Sequence, residues 1–269
     1  EKKNKVLIFD NLNTIGGIIY KNPNCDFVKG DLINSSDIRK IEKWKPEIIF
    51  HLAAQSGGES AYDNPKKDYL TNGFGTFNLC KLAKRIRIKH LIYTSSVAVY
   101  GSNSKKIINE LSPINPDSIY GVSKFVGEMF IKQILKDTPI KTTIFRVFNT
   151  YGPGENLNNL KKGMVSIYSS YVWRSKPIIV KGSLKRVRDL TYIDDCVSVL
   201  TASINNKKLT KNEIINLSSG ILSTVKNLLK EIIIASKKKK IKVVVKEGTP
   251  GDSKIFHASN YKLKKLYPK

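Results

Sequence analysis

Cysteine is scarce in this chain. Cys25, Cys80 and Cys196 are the only three, and no two of them have metal-ligand spacing. Their odd number and scatter argue against a disulfide framework or a thiolate metal site, and fit a reducing, cytoplasmic setting. Long apolar runs are missing too. No stretch approaches the ~18 consecutive apolar residues of a spanning helix. Residues 1–5 lead into no signal-peptide core, so neither a membrane span nor a secretory leader is expected. Acidic residues are few, 22 Asp and Glu against 47 Lys and Arg, which leaves a net charge of +25. Such an excess raises the question of nucleic acid. Yet arginine occurs only at positions 39, 85, 87, 146, 174, 186 and 188. Lysine is spread along the chain and not gathered with aromatics into a stripe, and the run 237–240 reads as a solvated helix end. Nucleic acid is therefore not an expected partner. A bias toward lysine and anionic nucleotide ligands account for the charge.

What is present is a core-forming pattern. The 269 residues are 41% hydrophobic, enough to bury one large or two modest domains. Apolar runs at 6–9, 48–52, 90–94 and 142–147 read as strands, alternating with helical stretches at 35–44, 68–87 and 119–136. Both faces of these strands are apolar, as in a parallel sheet covered by helices on each side. The alternation predicts a doubly wound α/β fold. The pattern loosens after Tyr151-Gly152-Pro153-Gly154. Helices are expected near 161–174, 194–204 and 223–236, with strands at 177–180, 213–217 and 241–245, the last closing the chain. The strand at 213–217 could return to the main sheet. With no internal repeat and no long linker, two lobes sharing one cleft are expected.

Tyr120 and Lys124 carry the most specific chemistry. Four residues apart on a helix, they share one face. An ammonium beside a phenol favours the phenolate, so the tyrosine can act as a general base near neutral pH. The same spacing occurs at Tyr62/Lys66, where Pro65 intervenes, and at Tyr261/Lys265; in a lysine-rich chain such pairs are mostly surface pairs. Context separates Tyr120. Asn115-Pro116-Asp117-Ser118 supplies a turn and a possible helix cap just before it. Upstream, the run from Leu91 to Ser96 leaves a strand for a polar turn, where doubly wound sheets place ligands. A serine there can hydrogen-bond a reacting hydroxyl.

Thr94-Ser95-Ser96-Val97-Ala98-Val99-Tyr100-Gly101, followed by Tyr120-Gly121-Val122-Ser123-Lys124, resembles the extended short-chain dehydrogenase/reductase type, the NAD-dependent epimerase/dehydratase family acting on nucleotide sugars. The resemblance continues through the stretch 146–154 and through Arg188-Asp189-Leu190-Thr191-Tyr192-Ile193-Asp194-Asp195, and covers almost the whole chain. It implies a Rossmann-type doubly wound sheet over 1–150, with 189–220 returning to it, and a smaller C-terminal α/β substrate lobe over 151–269. It also implies a catalytic set of Ser96, Tyr120 and Lys124.

On the cofactor side, Asp10 after the first strand can take both ribose hydroxyls of an adenosine and would repel a 2′-phosphate, which favours NAD over NADP. Asn11 lies beside it. The resemblance marks Asp31 and Leu32 as the adenine-contacting turn. It marks Leu52, Ala53, Ala54 and Gln55, after His51, as the strand end beneath the cofactor, and Asn72 as a residue near the nicotinamide ribose. Each alone has a plainer reading: a turn aspartate, a satisfied strand histidine, a surface amide. One feature departs from the family, which opens on a strand and a G-x-x-G-x-x-G turn that hold the pyrophosphate. Gly16-Gly17 falls in the wrong place for that turn. Residues 1–6 resemble the end of the first helix entering the second strand. The expectation is a chain that starts one strand and one helix late and also stops early, or else one that holds NAD abnormally.

On the substrate side, Arg188 offers a charged planar fork suited to phosphate; an ion pair with Asp189 or Asp195 is its plainer reading. By resemblance, Asn149, Asn159, Leu160 and Asp252 meet the diphosphate and sugar, and Val180 runs beside the base. No metal ligands are expected. Family members that eliminate water or carbon dioxide carry acids just after the catalytic serine, where this chain has Val97 and Ala98. The resemblance then implies C4 inversion of a UDP-hexose through a 4-keto intermediate. Alternatives are a C2-epimerase, a 4-keto reductase, or a non-catalytic nucleotide-sugar binder. The family's usual homodimer would use helices 68–87 and 119–136.

Overall fold

The computed structural model describes residues 4–13, 22–102, 107–238, 241–248 and 257–268. The chain begins with β1 (Val6–Asp10), β2 (Cys25–Lys29), α1 (Ser35–Trp44) and β3 (Ile48–His51). A helical stretch follows, made of α2 (Gly58–Asp63), α3 (Pro65–Tyr69), a π-turn over Leu70–Phe74 and α4 (Gly75–Ile86). Next come β4 (His90–Ser96), a 3₁₀ turn (Val97–Tyr100), α5 (Ile119–Leu135) and β5 (Lys141–Val147). The second half holds β6 (Asn149–Tyr151), α6 (Met164–Trp173), β7 (Ile178–Lys181), β8 (Val187–Tyr192) and α7 (Ile193–Ala202). It ends with β9 (Asn212–Leu217), β10 (Leu222–Thr224), α8 (Val225–Ser236), β11 (Val243–Lys246) and α9 (Tyr261–Leu266). The expected closing strand is thus followed by a further helix.

The main sheet is parallel, in the order β3-β4-β5-β9. Its alternate residues divide between two faces, as a strand period of two requires. Leu91, Tyr93 and Ile144 pack against Ile38 and Ile41 of α1, Leu79 and Leu82 of α4, and Ile131 and Leu135 of α5. Ile92, Phe145 and Ile215 pack on the opposite face, against Cys196 and Leu200 of α7 and Leu263 and Leu266 of α9. The fold is therefore doubly wound, and the strand at 212–217 does return to the sheet.

β1 and β2 form a separate parallel pair. Phe9 of β1 and Ile49 of β3 nevertheless join the same apolar cluster. The β3 residues Ile48, Ile49 and Phe50 are only half-buried, whereas Leu91 and Ile92 of β4 are fully buried. Among the described residues no strand pairs with the free edge of β1 or of β3. Gly16 and Gly17 lie outside the described residues.

The smaller lobe packs Tyr168 and Val172 of α6 against Ile178 and Val180 of β7 and Val225 and Leu229 of α8. β11 pairs in parallel with β7, and β8 lies between β10 and β6. No described helix is long and apolar enough to cross a membrane.

Candidate active site

The site forms where β4 leaves the sheet. Ser96 ends β4, and its Oγ accepts from Ala98 N at 3.2 Å, capping the 3₁₀ turn. α5 starts against that turn. Ser118 Oγ caps α5 by accepting from Gly121 N at 3.1 Å. A Cβ on Gly121 would stand 2.5 Å from Ala98 O, so only glycine lets the helix come this close. That approach brings Tyr120 near Ser96, whose hydroxyl favours the phenolate. Lys124, one turn on, is 2% exposed, with Nζ 4.4 Å from the centre of the Tyr93 ring. Tyr62 and Tyr261, which head the other two pairs of this spacing, are 71% and 74% exposed. Burial singles out Tyr120/Lys124.

The electrostatics differ from the expected lowered phenol. Burial pushes Tyr120 up to about 12; the Ser96 hydrogen bond opposes the rise and the charge of Asp68 adds to it. Burial pulls Lys124 down to about 7, against the attraction of Asp68 and then Glu128. Loss of hydration is the largest cause at both groups.

A groove opens at the ends of β1 and β3. Its lining includes Asp10, Asn11, Asp31, Leu32, Ala53, Ala54 and Gln55, seven of the residues expected at the cofactor. Asp10 Oδ1 accepts from Leu12 N at 2.6 Å, and Asn11 Nδ2 donates to Asp31 Oδ2 at 2.9 Å. Asp31 Oδ1 in turn accepts from Ile33 N at 3.1 Å. Gly30 floors the groove, where a Cβ would stand 2.5 Å from the Phe9 ring. Leu52 projects outward, 54% exposed. Carboxylates at the ends of β1 and β2, small residues after β3, and Tyr120 with Lys124 fit the two ends of a dinucleotide. The pyrophosphate-holding glycine turn is not found among the described residues.

Asn72 differs from expectation. It is buried, and its side chain holds protein groups instead of facing the groove. Gln55 N donates to its Oδ1 at 2.8 Å, and its Nδ2 lies 2.9 Å from Gln55 O, 3.0 Å from Ser123 Oγ and 3.2 Å from Asp68 Oδ1. It ties the loop after β3 to α3 and α5. His51 takes its plainer reading: its Nε2 meets Thr76 Oγ1 at 2.7 Å and its ring stacks on Tyr93.

On the substrate side, Arg188 and Arg186 are both buried and turn like charges toward each other and toward Tyr168. Burial, then Arg186, pulls Arg188 down to about 10. Asp189 is engaged by Ser219 N at 2.9 Å, Ser219 Oγ at 2.7 Å and Gly220 N at 2.9 Å. Asn149 Nδ2 donates to Asp189 O at 3.3 Å, and Asn159 Oδ1 accepts from Lys161 N at 3.0 Å. Leu160 is exposed beside Asn159. The Val180 side chain is sealed in the lobe core, which leaves it only its backbone for a ligand. Asp252 lies outside the described residues.

Sequence reasoning missed Asp68 and the buried chain that joins Ser95, Glu128, Arg146, Tyr100 and Asn216. Ser95 Oγ donates to Glu128 Oε1 at 2.6 Å, and Arg146 holds Glu128 through Nε at 3.0 Å and Nη2 at 2.8 Å. Arg146 Nη1 reaches Tyr100 Oη at 2.9 Å, which donates to Asn216 Oδ1 at 2.7 Å. The four-residue spacings Asp68/Asn72 and Lys124/Glu128 were the available signals.

The comparisons with known proteins bear on this geometry. The model of the family described as "NAD dependent epimerase/dehydratase family" matches residues 1–218. The chain belongs to that family. A candidate UDP-glucose 4-epimerase of Methanocaldococcus jannaschii is 32% identical over 85% of this chain and 73% of its own length. Three further relatives are matched over only 55%, 46% and 48% of their lengths, so the chain spans about half of each. The crystal structure of a UDP-glucose 4-epimerase from Thermotoga maritima with UDP-glucose superposes with a TM-score of 0.89 at 27% identity, covering 96% of this chain and 83% of that one. A UDP-glucuronic acid 4-epimerase from Bacillus cereus, in complex with UDP-glucuronic acid and NAD, gives 0.83 at 26% identity, covering 91% and 76%. The Rossmann-type fold, the nucleotide-sugar family and its NAD dependence are thus shared.

Proposed function

We propose that this family member inverts C4 of a UDP-hexose through a 4-keto intermediate. The observation that carries the reading is a half-buried Tyr120 one turn before the buried Lys124, with the Ser96 hydroxyl favouring the phenolate. Val97 and Ala98 follow Ser96 in the 3₁₀ turn and can neither donate nor accept a proton, which favours epimerisation over loss of water. The UDP-sugar 4-epimerases among its structural neighbours point to the substrate class.

Asp10 would hold the adenosine ribose, Asp31 and Leu32 the adenine, and Ala53, Ala54 and Gln55 the floor beneath the dinucleotide. Lys124 and Tyr120 would hold the nicotinamide ribose. Bound NAD supplies a hydride acceptor that returns the same hydride, and a positive charge that favours the phenolate. Tyr120 Oη takes the proton from the sugar C4 hydroxyl and later gives it back. Ser96 Oγ hydrogen-bonds the same oxygen, fixing it against the phenol. Arg188 holds the diphosphate, with Asn149 and Asn159 beside it, so that the keto sugar can turn while its nucleotide stays anchored.

The division into a nucleotide domain over 1–150, joined by 189–220, and a substrate lobe over 151–269 belongs to this proposal. So do a cytoplasmic site of action and a homodimer through α4 and α5. Phe74, Val122 and Met129 are exposed on or next to those helices and would supply its apolar contact. The test is to incubate the full-length protein with NAD and UDP-glucose, UDP-glucuronic acid or UDP-N-acetylglucosamine and identify products by proton NMR. Appearance of the C4 epimer of one of them is expected; a dehydrated or C2-inverted product would overturn the reading.

A further inference from the structure

Asp68 is a buried charge that the reaction above leaves unused. It sits in α3, which Asn64 caps by accepting from Lys67 N at 2.9 Å and which Pro65 starts. It is fully buried. Oδ1 has the Asn72 amide at 3.2 Å, while Oδ2 is buried with no hydrogen-bond partner. A carboxylate in that state is costly to ionise unless a cation stands near.

Lys124, facing it from α5, is that cation. The two make no direct ion pair among the described residues and act through the interior at longer range. Glu128 also faces Lys124, but it is shared with Arg146 through two hydrogen bonds and with Ser95, and it raises Lys124 less than Asp68 does. Asp68 has only the neutral Asn72 and Ser123 beside it. The remaining ionisable neighbours of Lys124 are Tyr93 on β4, Tyr120 on its own helix and His51 on β3. Burial keeps all three uncharged near neutral pH.

We propose that Asp68 is a positioning residue whose buried carboxylate is the countercharge that keeps Lys124 an ammonium. The proposal rests on the reading of Lys124 as a member of the catalytic set. Of the influences that oppose the burial of Lys124, Asp68 is the largest. The π-turn at Leu70–Phe74, which follows directly, continues the helix from Asp68 to Asn72, so both reach the α5 side. Such turns recur at functional sites.

The experiment is a lysine side-chain NMR titration of the full-length protein, with Lys124→Met assigning the signal. Asp68→Asn should lower the Lys124 titration by about one to three pH units, and Asp68→Glu should restore it. An unmoved titration in folded Asp68→Asn would overturn the proposal. In turnover, Asp68→Asn should lose about tenfold or more of kcat above neutrality, with KM unchanged and the deficit shrinking as the pH is lowered. A deficit that is the same at every pH would count against it. Should the wild type show no epimerase activity, the catalytic reading fails while the titration still decides the role of Asp68. Should Asp68→Asn not fold, Asp68→Asn/Lys124→Met should fold, because no buried charge is then left unpaired. A double variant no better than the single would overturn the proposal.

Discussion

Burial sets Tyr120 and Lys124 apart in the structure from the other two pairs of their spacing, completely so at Lys124, and burial decides their chemistry. The phenol is held high and the lysine low, so the ligand-free site stores a neutral acid beside a base close to its midpoint. Tyr120→Phe should lower kcat by ~10²–10⁴-fold with KM for the nucleotide sugar little changed, as steady-state kinetics would read; near-wild-type turnover would remove Tyr120 from the acid–base role. Two histidines give a separate prediction. Burial and then Lys124 hold His51 down to about 3, and burial and then Lys141 hold His90 down to about 4. Below the ordinary 6.5 the unfolded chain takes up protons that the folded protein refuses. Stability is therefore lost as pH falls from 6.5 toward 4 for His90 and toward 3 for His51. Urea midpoints should fall between pH 7 and pH 5. His90→Gln, which can keep the bond to Thr143, should narrow that gap; an unchanged gap would refute the assignment to His90.

At the scale of elements, patterning exposed some pieces and hid others. The helix at 35–44 was legible because its apolar periodicity is strong, and the helix from 119 because Ser118 marks its start. The stretch 68–87 reads as one helix, but π-turn geometry at Leu70–Phe74 splits it; periodicity is too coarse to register a single inserted residue. β6 and β10 are three residues each, too short to show alternation, and β8 carries Arg188 and Asp189 buried, which reads as polar. Glu128 on α5 and Arg146 on β5 are 0% and 2% exposed and tie helix to sheet. Glu128→Gln should cost about 3–5 kcal/mol by leaving Arg146 uncompensated, and Glu128→Gln/Arg146→Met should recover much of it in denaturant titrations. A cost below about 1 kcal/mol would mean the pair is spectator charge. The small lobe also reaches back to α2 through lysines. Lys181 Nζ lies 2.8 Å from Glu59 Oε1, Lys162 Nζ lies 2.8 Å from Ser56 Oγ, and Lys161 pairs with Asp63. The two ion pairs are solvent-accessible and screened by salt. Lys161→Ala/Lys181→Ala should leave the melting temperature unchanged and raise KM, with the effect fading at high ionic strength; a lowered melting temperature would make them structural instead.

Across the whole molecule, the two-faced α/β architecture and the grouping of cofactor residues at strand ends were readable, because both follow from apolar strands and the turns that end them. The separation of β1-β2 from β3-β4-β5-β9 was not readable as a feature of the sheet, since pairing between distant strands leaves no local mark. Nor could the sequence show that Asn72 faces inward and Val180 is sealed in a core, because the orientation of a side chain is set by what packs around it. On the proposed function, the groove between the ends of β1 and β3 takes the dinucleotide, the Ser96/Tyr120/Lys124 set the reacting carbon and Arg188 the diphosphate of the nucleotide sugar. The most direct test of that account follows the hydrogen at C4. Full-length protein is incubated in ordinary water with NAD and a UDP-hexose deuterated at C4, and the products are read by NMR and mass spectrometry. The account predicts the C4 epimer with its deuterium retained at C4, because the same hydride leaves and returns. Loss of the label to solvent, or inversion at C2 with C4 untouched, would contradict it.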